Sequence, residues 1–442
     1  MVKTVAAVTL GCKVNQYDTE AMLEAFERHG YRIVPNGSPA DVYLVNTCTV
    51  TGTGDKKSLQ LIRRCRRRNP QADVVITGCL AQRMGEQLRE TGARLILGTQ
   101  YRGRVVELLE QAIAENIQMV AVEGIENAPY ELLSIRSHEG HARAVMKIQE
   151  GCDNHCTYCI IPSVRGGIRS RPLSAIEEEA AALAQAGFQE LVLTGIHLTS
   201  YGRDLEGKPG LAEAVKAACV PGVSRIRLGS LEPRVATEAF VQALSECAPV
   251  CPQFHLALQS GSDAVLRRMK RCYNTEQFRQ AAARLRAAWP LAAFTTDVIV
   301  GFPGETEEEF AETVAFCQEI GFAKLHVFPF SPREGTPAAV MAGKREGRTG
   351  AAADRCRGRT GSAVPGAVFG KNCAGAVGRP SSGRQHDRLH ARIHPCAGGW
   401  RRKRPNRERA SGIPDRRRNA RRDCGMKKRK GKSFSGRNQG RF

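Results

Sequence analysis

Short apolar runs alternate with helix-spaced segments along most of this 442-residue chain. This alternation constrains the fold most, because strands joined through helices build parallel sheets covered on both faces. In residues 1–115, the pattern predicts strands at Thr4–Leu10, Val42–Asn46, Val74–Thr77 and Arg94–Leu97. Helices are expected over Asn15–His29, Asp55–Asn69, Gln82–Glu90 and Arg104–Glu115. Residues 116–142 read as a linker. From Arg143 the alternation resumes, with strands expected at Ala144–Gln149, Glu190–Thr194, Arg225–Leu228, Phe254–Leu258, Phe294–Val300 and Ala323–Phe328. Helices between them are expected at Ser174–Ala186, Leu211–Ala218, Ala236–Cys247, Ala264–Lys270, Glu276–Ala288 and Thr306–Ile320. The fold class expected is α/β: an N-terminal parallel sheet domain over 1–115, then a partial (β/α)6 barrel over 143–340. A doubly wound open sheet is the alternative for the second unit.

The hydrophobic fraction of 42% excludes a wholly disordered chain. No apolar run approaches the roughly 18 residues of a membrane helix, so no membrane partner is expected. The net charge of +22 suggests nucleic acid, yet its location changes that inference. Residues 345–442 hold 28 basic and 6 acidic side chains, which accounts for all of it. The preceding residues balance, 38 against 38. The tail is rich in Arg and Gly and shows no sustained period. Its few apolar side chains cannot offset an ordering cost of roughly 1–2 kcal/mol per residue, so disorder is expected there.

Sixteen cysteines demand an explanation. The run Val5–Leu10 before Gly11 and Cys12 is too short for a secretory h-region of roughly 7–15 residues. A cytoplasmic location is expected, where clustered cysteines read as metal ligands or redox groups rather than disulfides. The densest group is Gly151-Cys152-Asp153-Asn154-His155-Cys156-Thr157-Tyr158-Cys159, at the carboxyl end of the first barrel strand. Active sites form at that end of α/β folds. Three thiolates on one tight loop suit a [4Fe–4S] cluster with one open iron. A zinc site recruiting His155, or plain buried thiols, are the alternatives. Cys12, Cys48 and Cys79 each follow a predicted strand, and such turns line one edge of a parallel sheet. On spacing alone they are either a second shared site or unrelated. Cys65, Cys219, Cys247, Cys272 and Cys317 have no convergent partners by pattern, and neither do Cys356, Cys373, Cys396 and Cys424 in the tail.

The loop bearing Cys152, Cys156 and Cys159 resembles the radical S-adenosylmethionine motif. The segments TLGCKVNQYDTEAM (9–22), NTCTVT (46–51), TGCLAQ (77–82), QEGCDNHCTYCIIP (149–162), LTGIHLTSYG (193–202), LQSGSD (258–263) and TTDVIVGFPGETEEEF (295–310) resemble the methylthiotransferase family. Within it, GCKVNQ, VLTGIHL and HVFPFSPREGTPAA (326–339) resemble the branch acting on N6-threonylcarbamoyladenosine at position 37 of tRNA. Neighbouring branches act on isopentenyladenosine in tRNA or on a ribosomal-protein aspartate.

The resemblance implies two [4Fe–4S] clusters, one on Cys152, Cys156 and Cys159 and one on Cys12, Cys48 and Cys79. It implies S-adenosylmethionine as cofactor, one molecule giving a 5′-deoxyadenosyl radical and a second the methyl group. Its partners would be the tRNA anticodon loop, an electron donor such as flavodoxin or ferredoxin, and a sulfur donor. It also suggests cofactor contacts at Thr194, Gly195, Ser230, Glu232, Gln259, Ser260 and Gly301, with His197 and Asp297 as candidate hydrogen-bonding or proton-transfer groups. The helix carrying Lys56, Lys57, Arg63, Arg64, Arg66, Arg67 and Arg68 is either a phosphate-binding or a solvated basic face.

The sequence departs from the family at Ala257, where proline is usual, at Cys272, and above all after Ala339. The family's small RNA-binding β-barrel is not recognisable in 345–442. The Arg, Gly, Ala and Pro bias there is that of GC-rich DNA read out of frame, with a genuine basic RNA-binding tail as the rival. Resequencing the 3′ end of the gene is expected to show a frame disruption near residues 340–345. An intact frame through Phe442 would contradict it.

Overall fold

The computed structural model describes residues 2–126, 128–136 and 143–343. The expected tail over 345–442 lies outside the described residues.

The first sheet has six parallel strands. Their order is Arg32–Ile33, Thr4–Thr9, Val42–Thr47, Asp73–Gly78, Leu95–Leu97 and Met119–Ala121. Val42–Thr47 is buried throughout, as a strand covered on both faces must be. Val5, Leu44, Val75 and Leu97 pack on one face with Phe26 and Leu109. Ala6, Val45, Ile76 and Ile96 pack on the other with Ile62 and Cys65. The short strand Met119–Ala121 pairs with Leu95–Leu97, inside what the sequence presents as a linker. Three residues are too few to show a period.

The second half carries two four-stranded groups. One is ordered Arg225–Leu228, Glu190–Gly195, Ala144–Glu150 and Arg169–Ser170, with only the last antiparallel. The other is ordered Ser230–Leu231, Gln253–Leu256, Ala293–Val300 and Lys324–Pro329, all parallel. A bridge from Ile226 of the first group reaches Val250, three residues before the Gln253–Leu256 strand of the second. One hydrophobic core runs from Ala144 through Leu193, Phe254 and Phe294 to Val327. This is the partial barrel, not the open doubly wound sheet.

Element boundaries move where caps decide them. The helix expected from Asp55 runs Gly52–Arg68, because the Thr51 hydroxyl accepts the Gly54 N–H at 3.1 Å. The helix expected from Gln82 begins at Cys79, and the chain continues as a 3₁₀ turn over Gly85–Thr91. The helix expected from Ala236 begins at Glu238, capped by Thr237.

The helix Lys13–Arg28 fastens the two halves together. Met22 and Phe26 enter the first core, while Tyr17 and Ala21 enter the barrel core. Between them Asp18 enters a buried charge knot. Its carboxylate accepts from Arg102 Nη1 and Lys147 Nζ at 2.5 Å each and from Arg165 Nη1 at 3.2 Å. Glu150 accepts from Arg102 at 3.0 Å, from Lys147 at 3.2 Å and from Arg165. All five residues are buried. Beside the knot, the Tyr17 hydroxyl donates to Leu133 O at 2.6 Å and Glu179 at 2.9 Å, and Arg171 pairs with Glu179.

Burial alone would raise the Asp18 pKa, but Arg102 and Lys147 overcome it and hold the carboxyl below its ordinary value. Removing one partner strands buried charge, so Asp18→Ala is expected to cost about 3–5 kcal/mol in urea unfolding. Glu276→Ala, at an exposed pair with Arg279, should cost less than about 1 kcal/mol. The Asp18 contribution should be complete above its unfolded value of about 3.8 and lost as pH falls through the lower folded value.

Candidate functional site

The strand Ala144–Glu150 delivers the chain to Gly151, whose φ is +76°. A Cβ there would lie 1.7 Å from the Gly167 oxygen, so only glycine fits. The following loop is tied down at several points. Cys152 N donates to Gly166 O at 3.0 Å and Cys159 N to Cys156 O at 3.0 Å. Thr157 N donates to Met269 O at 3.1 Å, and its hydroxyl to Arg268 O at 2.9 Å. Tyr158 packs edge-on against Phe302.

Arg271 donates through Nη1 to Cys156 Sγ at 3.1 Å and through Nη2 to Glu232 at 3.0 Å. Its guanidinium lies over the Tyr273 ring, 4.8 Å from the centroid. Asn154 Nδ2 donates to Glu232 at 3.3 Å and lies 3.2 Å from His197 Nε2. Burial pushes the Cys152 thiol up to about 11 and the Cys159 thiol up to about 12, with neighbouring thiols adding to both.

The second set forms at the carboxyl ends of three adjacent strands. Cys12 follows Thr4–Thr9 and caps the helix Lys13–Arg28; Cys48 follows Val42–Thr47; Cys79 follows Asp73–Gly78 and opens the next helix. The strand order reverses between Thr4–Thr9 and Val42–Thr47, and ligands bind at such a switch point. A Cβ on Gly11 would meet Cys48 Sγ at 3.3 Å, so Cys48 lies directly against the turn bearing Cys12. Arg165 Nε donates to Cys79 Sγ at 3.2 Å, and its Nη2 donates to Asn15 Oδ1. That same Asn15 oxygen lies 4.0 Å from Cys12 Sγ. Desolvation of the sulfur raises the Cys12 thiol, although the residue as a whole is exposed, and burial pushes Cys48 up to about 11; the neighbouring Cys79 adds to both.

The donor sets suit iron–sulfur ligation. All six cysteines are free thiols, three to a set, with one guanidinium donating to one sulfur of each set, from the buried Arg165 and the partly buried Arg271. Three thiolates brought together require a cation to offset their repulsion. Among the described residues, the one group whose ligand atoms all lie within 4.8 Å of one another is Cys152, Asp153 and His197; neither three-cysteine set is drawn together that tightly. That group includes His197, not His155.

The other expected contacts fall in different places. Glu232 joins the Cys156 side through Arg271, and Thr194 is buried near the end of its strand. A Cβ on Gly195 would lie 2.8 Å from Gln149 Oε1, the side-chain oxygen that also accepts the His197 N–H at 2.6 Å. Ser230 is exposed on its two-residue strand. Gln259 takes φ +66° and bridges to Val298. Ser260 is wholly buried with its hydroxyl 3.1 Å from Thr313 Oγ1, so that hydroxyl is already engaged. Gly301 N donates to Glu305 at 2.5 Å, and burial pushes the Glu305 carboxyl up to about 7. Asp297 faces His255, with 3.3 Å between Oδ2 and Nε2.

On the basic helix, Lys57, Arg63, Arg64 and Arg67 line an open cavity of about 530 Å³ with Leu10, two residues before Cys12. Arg66 turns away and donates to Thr91 O at 3.0 Å. Arg165, Arg271 and Asn15 were not singled out by sequence. Nothing local distinguishes Arg165 from Arg169 or Arg171, and Arg271 lies more than a hundred residues from the cysteine it touches.

Two family models match the chain. "Uncharacterized protein family UPF0004" matches residues 4–98, and "Radical SAM superfamily" matches residues 146–317. The threonylcarbamoyladenosine tRNA methylthiotransferase MtaB of Bacillus subtilis (strain 168) is 45% identical over 342 residues, 76% of each chain. The MtaB of Thermotoga maritima is 40% identical over 77% of this chain and 78% of its own. The tRNA-2-methylthio-N(6)-dimethylallyladenosine synthase of Parafrankia sp. is 41% identical over 76% of this chain and 69% of its own. Among solved structures, the radical S-adenosylmethionine methyltransferase TsrM of Kitasatospora setae superposes with a TM-score of 0.56 at 16% identity. That overlap covers 77% of each chain and shows a shared fold. The chain belongs to the radical SAM superfamily and, within it, to the tRNA methylthiotransferases.

Proposed function

We propose that this enzyme adds a methylthio group to carbon 2 of N6-threonylcarbamoyladenosine in tRNA, using two [4Fe–4S] clusters and S-adenosylmethionine. The observation that carries it is the presence of two three-cysteine sets in one fold, each with an arginine donating to one sulfur. The relatives named for this reaction, at 45% and 40% identity, support the substrate. A second reading, dimethylallyladenosine in tRNA, is supported by the 41% identical relative named for that product.

Cys152, Cys156 and Cys159 would hold one cluster and Cys12, Cys48 and Cys79 the other, each leaving one iron open. When bound, the first cluster with S-adenosylmethionine supplies a radical able to activate an inert C–H bond, and the second supplies the methylated sulfur. The protein's own residues orient these groups. Arg271 holds Cys156 and Glu232 in one frame, and Asn154 ties Glu232 to the cysteine loop. By the family resemblance, Thr194 and Gly195 would meet the methionine end of the cofactor, Ser230 and Glu232 its ribose, and Gln259 and Gly301 the remainder, while the Ser260 hydroxyl stays with Thr313. The target adenosine must leave its stack to reach such a buried site. Lys57, Arg63, Arg64 and Arg67 would neutralise tRNA phosphates, giving salt-sensitive affinity. Among the described residues no helix is long and apolar enough to cross a membrane. The reaction needs an electron donor of the flavodoxin or ferredoxin class and a sulfur donor, and a cytoplasmic setting supplies tRNA.

Anaerobic reconstitution should load about eight irons per chain, and about four after alanine replaces either cysteine set. S-adenosylmethionine cleavage should vanish when Cys152, Cys156 and Cys159 are replaced and persist when Cys12, Cys48 and Cys79 are. In a deletion strain, mass spectrometry of tRNA nucleosides should show the methylthio-threonylcarbamoyl nucleoside gone and its precursor retained. Persistence of the product would reject this substrate.

A further inference from the structure

We propose that Arg165 is a positioning residue for the N-terminal cysteine set. It holds the Cys79 thiolate from the barrel side and raises the reduction potential of the cluster bound there. The inference rests on the reading that Cys12, Cys48 and Cys79 hold a cluster.

Arg165 ends the short helix Ile161–Arg165, which follows the loop carrying Cys159. It is among the largest fully buried side chains in the protein. Each guanidinium nitrogen has an acceptor. Nη1 donates to Asp18 at 3.2 Å and to Glu150, Nη2 donates to Asn15, and Nε is left for Cys79 Sγ at 3.2 Å. Two carboxylates and an amide therefore fix the planar fork and aim its third edge at sulfur. Lysine cannot reproduce this, because its ammonium is a single point of charge.

The surrounding charges explain why Nε is available. Asp18, Glu150 and Glu131 face Arg102, Lys147 and Arg165, so the knot is balanced before any thiolate is counted. Negative charge added at Cys79 by cluster ligation and reduction meets Arg165 first. A hydrogen bond and a positive charge on a ligand sulfur stabilise the more negative, reduced state. Packing reinforces the contact: Cys79, Ile160 and Val164 form their own buried apolar cluster, with Ile161 against it. The segment following the first cysteine loop is thereby seated on the helix that opens with Cys79.

The test uses the full chain carrying C152A, C156A and C159A, so that only the N-terminal set remains. After anaerobic reconstitution and dithionite reduction, pulsed electron paramagnetic resonance of ¹⁵N-arginine-labelled protein should detect an arginine nitrogen coupled to the cluster. In a redox titration, Arg165→Gln should shift the midpoint potential to more negative values and Arg165→Lys should shift it less. A purely structural ion pair would change unfolding without moving the potential of the iron that is retained. Iron present without arginine coupling, or an iron-bearing Arg165→Gln chain with the parental potential, would overturn the proposal. The coupling measurement needs no change at Arg165, so it decides the matter even if Arg165→Gln does not fold. A background that binds no iron would overturn the reading of Cys12, Cys48 and Cys79, and the proposal with it.

Discussion

The buried contact of Asp18 and Glu150 with Arg102, Lys147 and Arg165 is the constraint on which the arrangement of both cysteine sets depends. Asp18 lies on the helix that Cys12 caps. Lys147 and Glu150 lie on the strand that delivers Cys152. Arg165 follows Cys159 and touches Cys79. The elements that meet in the knot are therefore the elements that carry the cysteines. Taking five charges out of water is costly, and the cost is recovered only when each finds partners in good geometry. Such a knot tolerates one relative placement of the two halves and penalises others.

The two sets solve the same problem in two folds. A parallel strand ends, the chain turns sharply, and a thiol is presented at the sheet edge. Gly151 makes the turn in the barrel and Gly78, at φ +93°, makes it before Cys79. In the first sheet the thiols come from three neighbouring strands, in the barrel from one loop. Each set then receives one guanidinium, Arg165 or Arg271, held by carboxylates that fix its direction. Charged donors on sulfur are among the protein's means of adjusting a metal centre.

Much of this was legible in the chain. Val42–Asn46 and Val74–Thr77 read as strands because burial on both faces leaves largely apolar runs, and the observed strands extend them to Val42–Thr47 and Asp73–Gly78. The cysteines read as sites because each stands where such a run ends. Met119–Ala121 escaped notice because its pairing with Leu95–Leu97, not its own composition, makes it a strand. The arginines escaped for a related reason. Arg64 on the exposed face of its helix and Arg165 in the interior are the same residue type amid similar neighbours, and only long-range packing separates them. Ser260 shows the converse, since its place in a strand-end motif suggested a ligand contact while its hydroxyl meets Thr313.

The central claim is that both cysteine sets serve one reaction on one modified nucleoside. It is tested most directly by incubating the anaerobically loaded chain with tRNA bearing N6-threonylcarbamoyladenosine, S-adenosylmethionine and a reductant. The nucleosides are then read by mass spectrometry. The account predicts the 2-methylthio product from the intact chain and none from a chain lacking either set. Product from a chain without Cys12, Cys48 and Cys79, or none from a fully loaded one, would contradict it.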